Sequence, residues 1–209
     1  MRILNGAHTS MVLSAYLAGK NIVRDCMEDE LILNFMKKTI FEEIIPTLDL
    51  PEDELNTFAN DVIERFKNPY IDHLLLSISL NSVSKWRARV LPSMKGYIKN
   101  FCKLPLCIVF SFAALIAFYK GTEIRDNALI GIRNGEEYKI FDDMHVLEFF
   151  ASYSKKLCHK EFVKLFAANE QLFGEDLSRI EGFVETVADF LDDIENLGIE
   201  SVMKKILDY

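Results

Sequence analysis

The chain has 209 residues, 50% of them hydrophobic and 27% charged, with 24 basic against 32 acidic side chains and a formal charge of −8. This is the composition of a globular protein with enough chain for one substantial core or two small ones. The acidic balance argues against nucleic acid or an anionic lipid surface as a partner. Four cysteines, Cys26, Cys102, Cys107 and Cys158, form no C-x-x-C pair, and the chain opens without a basic-then-apolar signal segment. Together these predict a reduced, cytoplasmic protein.

In chain order, apolar residues recur at helical spacing nearly throughout. Met11, Tyr16 and Leu17 predict a first helix ending before Gly19, and Leu31, Leu33, Phe35, Met36, Ile40 and Phe41 predict another ending before Pro46. Pro51-Glu52-Asp53-Glu54 has the proline and acids that suit a helix start, and Asn68-Pro69 should break that helix. Further helices are expected over Ile71 to Ser79, Ser82 to Val90 and Ser93 to Phe101. Cys102 and Cys107, around the next turn, read as core thiols rather than ligands. The apolar run from Leu104 to Tyr119 contains Pro105 and falls short of the roughly 20 residues that cross a bilayer. It therefore predicts a helix buried on every side, with no membrane partner.

One segment departs from helical spacing. Between Leu129 and Phe141, Asn134-Gly135 separates two partly alternating stretches, the pattern of a two-stranded hairpin. Asp142-Asp143 can cap the helix that follows, and two more helices are expected over Lys160 to Ala168 and Ile180 to Leu197, the last ended by Gly198. With no repeat or long flexible linker, the chain reads as one mainly α, multi-helical domain over residues 1–209 with a small β-hairpin near 129–141.

Two polar groupings can carry chemistry. Asn5 and His8, three residues apart, share a helical face one turn apart. An Asn amide can donate to a developing oxyanion, and a neutral His can hydrogen-bond or shuttle a proton. Asn81, Ser84, Lys85 and Arg89 share another face, suited to a ligand rich in hydroxyls and bearing a carboxylate. The plainer alternative is a helix capped by Asn81 with a solvated basic face. His73, His145 and His159 read as surface or satisfied histidines, and none has metal-ligand spacing. The acidic run from Asp189 to Glu195 reads as a solvated face. None of the nine glycines forms G-x-G-x-x-G or a P-loop, so no nucleotide-cradling loop is encoded here.

Leu4-Asn5-Gly6-Ala7-His8-Thr9, Arg65-Phe66-Lys67-Asn68-Pro69, Ser79-Leu80-Asn81-Ser82-Val83-Ser84-Lys85 and Arg89-Val90-Leu91-Pro92 together resemble the C-terminal domain of the mannitol dehydrogenase family, the polyol-specific long-chain dehydrogenases. Within it the chain is most similar to the tagaturonate reductase, or altronate oxidoreductase, subfamily. The resemblance extends over essentially the whole chain. It implies a separate N-terminal Rossmann domain that binds NAD, and a helical domain that supplies substrate contacts through a Lys, four residues, Asn, two residues, His pattern. Asn5 and His8 match the last two members. The lysine, the family's general base, would precede Met1, whose thioether cannot replace an amine.

The resemblance further implies a metal-independent hydride transfer in which Asn5 steadies the developing alkoxide and His8 orients substrate. Lys85 matches a substrate-contacting lysine, whereas Ser77 stands where the mannitol enzymes carry an arginine. This favours a hexuronate-type sugar acid, its carboxylate met by Lys85 or Arg89, over a simple polyol. The expectation is the substrate domain of an NAD-dependent enzyme interconverting tagaturonate and altronate, inactive without its cofactor domain and prone to self-association. A fructuronate or sugar-alcohol-phosphate dehydrogenase domain, or a helical interaction domain without catalysis, are the alternatives.

Overall fold

Helix α1 (Arg2–Leu17) is buried on most of its circumference, because small side chains such as Gly6, Ala7, Ser10, Ser14 and Ala15 let neighbouring helices close on it. The computed structural model describes residues 2–68, 70 and 72–208. The buried Ser10 and Ser14 hydroxyls donate back to the Gly6 and Met11 carbonyls, each at 2.8 Å, which removes the cost of burying them. Gly19, at φ +92°, follows the end of α1, as its position in the sequence predicts.

A short helix not anticipated from the sequence, α2 (Val23–Glu28), precedes α3 (Glu30–Lys38). The apolar periodicity continues past Lys38, but the helix there widens into a π turn over 39–44 and tightens into a 3-10 turn over 45–47. Thr39 donates its hydroxyl to the Phe35 carbonyl at 2.8 Å, and Pro46 has no N–H to give, so both ends of the segment are perturbed. Helix α4 (Glu52–Phe66) starts behind Pro51 with three acids in its first turn, as expected. It ends at Lys67, while Pro69 and Ile71 lie outside the described residues.

The helix expected from Ile71 to Ser79 is corrected to a single turn, α5 (Leu75–Ile78). Ahead of it the backbone is extended and pairs with 21–23. Ile22 bridges Leu74, Val23 N–H donates to the His73 carbonyl at 3.0 Å, and Leu75 N–H donates to Asn21 at 2.9 Å. These long-range main-chain bonds replace the local helical ones.

Helices α6 (Ser82–Arg89), α7 (Leu91–Phe101) and α8 (Leu106–Phe118) follow. Every α8 side chain from Cys107 to Ile116 is buried, as all-round hydrophobicity predicts. Its first turn is capped by Glu43 from the π turn, whose two carboxylate oxygens accept from Cys107 N–H and Ile108 N–H at 2.8 Å each. Cys107 is buried as expected, but Cys102 is exposed in the left-handed conformation that ends α7, so it is not a core thiol.

The hairpin is one strand larger than expected. Strands β1 (Ile124–Arg125), β2 (Ala128–Arg133) and β3 (Glu136–Ile140) form an antiparallel sheet in that order. Asn134 and Gly135 turn β2 into β3 with positive φ, and Asp126-Asn127 does the same between β1 and β2. Gly131 pairs with Tyr138, whose ring would lie 2.4 Å from any Cβ at 131. That ring passes inward, and its hydroxyl donates to the Phe118 carbonyl at 2.6 Å, tying the sheet to the end of α8. Arg133 ties it to α1. Its guanidinium lies 3.8 Å from the Tyr16 ring and donates to the Tyr16 and Lys20 carbonyls and to Asn21.

Helices α9 (Met144–Tyr153), α10 (His159–Ala167), α11 (Glu170–Phe173), α12 (Phe183–Leu197) and α13 (Ile199–Leu207) complete the chain. Gly182, at φ +72°, delays α12 to Phe183, three residues beyond the expected start, and Gly198 separates it from α13, a helix the sequence reading does not include. Helices α1 and α12 both pack along α8, and their side chains form one continuous core. Among the described residues no helix is long and apolar enough to cross a membrane, and no group of three His, Cys, Asp or Glu could hold a metal ion.

Candidate functional site

The site is built where the start of α1 meets the end of α6. Gly6 lies at that crossing: a Cβ there would be 3.5 Å from the Arg89 carbonyl and 3.2 Å from Ile44 Cδ1. Having no side chain, Gly6 lets the two helices approach, and the turn bearing Asn5 and His8 is brought to Arg89.

His8 is half-buried, with its ring stacked on Phe66 at 4.0 Å and edge-on to His73 at 6.2 Å. Burial, the neighbouring His73 and the Arg89 charge push its pKa down to about 4, so the imidazole is neutral at pH 7. Its Nε2 is buried with no hydrogen-bond partner. An unpaired buried nitrogen is costly to the fold and is the kind of atom a ligand hydroxyl satisfies. Asn5 sits half-buried one turn earlier.

The start of α6 is capped from a distance. Asn81 occupies the N-cap position at φ +53°, but its side chain makes no capping hydrogen bond. Ser82 N–H donates to the Tyr119 hydroxyl at 3.2 Å, Val83 N–H to Asp142 Oδ2 at 3.3 Å, and the Tyr119 hydroxyl to the same Asp142 oxygen at 2.5 Å. Asp142 therefore serves α6, and neither it nor Asp143 gives α9 the side-chain cap expected of that pair; Asp143 stands at the α9 N-cap without such a bond.

Asn81 is exposed, and its carbonyl accepts from Lys85 N–H and from the Ser84 hydroxyl, both at 3.1 Å. Lys85 is half-buried and donates Nζ to the Ile78 carbonyl at 2.8 Å. Burial and then the Arg89 charge lower its pKa, opposed by Asp142. Arg89 is half-buried, and among the described residues it makes no ion pair.

Arg89 is thus the common electrostatic neighbour of His8 and Lys85, and Asn5 lies one turn before His8 on α1. Asn81 lies at the other end of α6, about 12 Å from Arg89 along the axis at 1.5 Å per residue, and Ser84 lies between. Phe66 and His73, which hold and flank His8, carry no sequence signal for that role. His73 is exposed, as a surface histidine should be, yet only the pairing of 72–75 with 21–23 puts it beside α1. His159 is a satisfied histidine, with Nδ1 2.6 Å from Asp192 and Nε2 3.3 Å from Glu195, so part of the acidic run is paired rather than solvated. None of the six candidate residues lines the cavity of about 320 Å³ found at the opposite end of α1.

The model of the mannitol dehydrogenase C-terminal domain matches residues 1–195. The chain belongs to this family. Among curated members, altronate oxidoreductase from Enterobacter sp. (strain 638) is 41% identical over 209 residues, covering 98% of this chain and 41% of that protein. The enzyme of the same name from Escherichia coli O7:K1 (strain IAI39 / ExPEC) is 42% identical with the same coverage. Among solved structures, Pseudomonas fluorescens mannitol 2-dehydrogenase, in ternary complex with NAD and D-mannitol, superposes with a TM-score of 0.83 at 21% identity, over 99% of this chain and 39% of that one. Substrate-free D-sorbitol dehydrogenase gives 0.76 at 20% identity, over 97% and 39%. These two share the fold. The chain spans about two fifths of the length of the family members it matches.

For a dinucleotide, the described residues offer a poor cradle. The sheet is antiparallel throughout, and the glycine in its middle strand, Gly131, is filled by Tyr138 rather than opening a strand-to-helix turn for a pyrophosphate.

Proposed function

We propose that this chain is the substrate-binding domain of an NAD-dependent oxidoreductase interconverting D-tagaturonate and D-altronate, with the cofactor held by a separate Rossmann domain. The observation that carries the reading is Arg89. A half-buried arginine without an acidic partner among the described residues, in a chain of net charge −8, beside a second half-buried cation and a neutral imidazole, suits a carboxylate attached to a hydroxylated chain. The names of the relatives at 41% and 42% identity support the same substrate class.

In this proposal Arg89 takes the carboxylate. Lys85, its ammonium steered by the Ile78 carbonyl, contacts a hydroxyl or the second carboxylate oxygen. The orphaned His8 Nε2 receives or gives one hydrogen bond to the substrate, and the Asn5 amide donates to the oxygen that gains charge. Asn81 and Ser84 line the far end, where a six-carbon acid extends along α6. A nicotinamide cofactor held by the other domain would supply or accept the hydride. The chain by itself binds the sugar acid without turning it over.

The test has two parts. Isothermal titration of the 209-residue chain with altronate, mannonate, mannitol and mannitol 1-phosphate should show altronate binding most tightly. Joined to its cofactor domain, the protein should reduce NAD with altronate. A preference for mannonate or mannitol 1-phosphate would reassign the substrate within the family. No binding by any of the four would favour a non-catalytic interaction domain.

A further inference from the structure

A cavity of about 320 Å³ opens between the C-terminal end of α1, α8, the β2–β3 hairpin, α10 and the α12–α13 junction. It is separate from the proposed sugar-acid site: Asn5 and Leu17, at opposite ends of α1, are about 18 Å apart at 1.5 Å per residue. We propose that this cavity binds a small amphipathic carboxylate, an aliphatic or aromatic acid with its apolar body inside and its anionic head at the hairpin.

The floor is apolar, formed by Leu17, Ile116, Phe162, Leu191 and Ile194. The volume lies at the lower end of the range of about 300 to 1,000 Å³ typical of small-molecule sites. At the mouth, Ile132 is 66% exposed, an aliphatic lip that a bound apolar chain would cover.

The charged groups at the rim are Lys120, Arg133, His159 and Glu195. Glu195 is already engaged by Lys120 Nζ at 3.1 Å and by His159 Nε2 at 3.3 Å, and Asp192 lies on the other His159 nitrogen. Arg133 differs. Among the described residues its hydrogen bonds go to neutral acceptors, two carbonyls and the Asn21 amide oxygen, and it makes no ion pair. Those bonds and the Tyr16 ring hold the guanidinium in place, and five N–H donors leave some in hand. Glu136 stands opposite Arg133 in the hairpin without pairing with it, so a fixed guanidinium with no ion pair among the described residues borders an apolar cavity, a combination suited to an anion with a hydrocarbon body.

The probes are butyrate, hexanoate and octanoate with the matching primary alcohols, titrated into the 209-residue chain and followed by calorimetry and by saturation transfer from protein to ligand. Affinity should rise by about fourfold per added methylene until the cavity is filled, and each acid should bind more tightly than its alcohol. Ala117→Phe, which fills the cavity, and Ile132→Asp, which charges its exposed lip, should each weaken octanoate by about tenfold or more. Ile132→Asp changes an exposed position, so it keeps the test valid if Ala117→Phe fails to fold. No saturable binding, equal binding by acids and alcohols, or octanoate binding unchanged in Ile132→Asp would each overturn the proposal. None of these outcomes bears on the sugar-acid site.

Discussion

The His8 imidazole lies flat on the Phe66 ring, with centroids 4.0 Å apart and planes 11° from parallel. The end of α4 thereby fixes the orientation of His8, in the second turn of α1, and holds it in surroundings that disfavour its charge. A positively charged ring at this place would lose hydration and face Arg89.

This gives a pH dependence of stability with a definite sign. The folded-state pKa of His8, about 4, lies below the ordinary value of 6.5, so between those values the unfolded chain binds more protons than the folded one. His8 therefore costs nothing above pH 6.5, and stability is lost as the pH falls from 6.5 towards 4, by about 3 kcal/mol at full extent. Urea unfolding followed by Trp86, the single tryptophan and fully buried, measures it. His8→Leu should remove the part of the slope that rises with pH, so that relative to wild type the variant gains stability as the pH falls through that window. An unchanged slope would show that His8 titrates normally.

Glu43 acts in the opposite sense. Burial pushes its carboxyl up to about 7, although the two α8 N–H groups favour the carboxylate. Here the folded chain holds the proton longer than the unfolded one, so stability falls as the pH rises from 4.5 to 7, again by about 3 kcal/mol at full extent. The two windows overlap and partly cancel in the wild-type chain, and single variants separate them. Glu43→Ala should remove the falling part and leave stability rising with pH between about 4 and 6.5, the contribution of His8. It should also destabilise at low pH by about 2 to 4 kcal/mol, because two buried N–H groups at the start of α8 lose their acceptor.

Much of this architecture can be read from local pattern. The all-round apolarity of α8, the Pro51 and acidic start of α4 and the Asn134-Gly135 turn are each decided within a few residues, so each appears where the sequence places it. What escaped depends on partners far along the chain. The extended 72–74 segment exists because it pairs with 21–23, and the α6 cap is made by Tyr119 and Asp142, 37 and 59 positions beyond the residues they serve. The same holds at the site. Asn5, His8, Lys85 and Arg89 are visible as polar residues at helical spacing, but no local signal reveals that Phe66 stacks on His8 or that Asp142 faces Lys85. Asp126-Asn127 is by contrast a local signal, a pair suited to a tight turn, and it closes β1 on β2.

The proposed roles of Arg89 and His8 are separable by kinetics in the intact enzyme. A charge-assisted hydrogen bond to a carboxylate contributes about 1.5 to 3 kcal/mol, so Arg89→Gln should raise KM for altronate by about 10- to 150-fold with a small change in kcat. His8→Ala should lower kcat instead, since its bond is to the reacting end. Arg89→Gln also removes a cation that depresses His8, so the His8 imidazole proton resonance should titrate above about 4. An unmoved His8 titration would contradict the proximity, and an unmoved KM would contradict the carboxylate contact.

Gly6 links these two residues, and substitutions there test the crossing itself. In Gly6→Ala the new methyl meets Ile44 Cδ1 at 3.2 Å and the Arg89 carbonyl at 3.5 Å. The first is the free end of a side chain and can yield by a few tenths of an ångström. The helix meanwhile gains about 1 kcal/mol from replacing glycine with alanine, so the net change in stability should stay within about 1 kcal/mol. Gly6→Val adds two methyls towards a backbone carbonyl that cannot turn aside, and overpacking of this kind costs about 1 to 3 kcal/mol. Pushing α1 away from α6 also takes His8 from the Arg89 charge, so its titration should rise along with the loss of stability. If valine were accepted with both unchanged, the two helices would not meet at Gly6, and the grouping of Asn5, His8, Lys85 and Arg89 would lose its geometric basis.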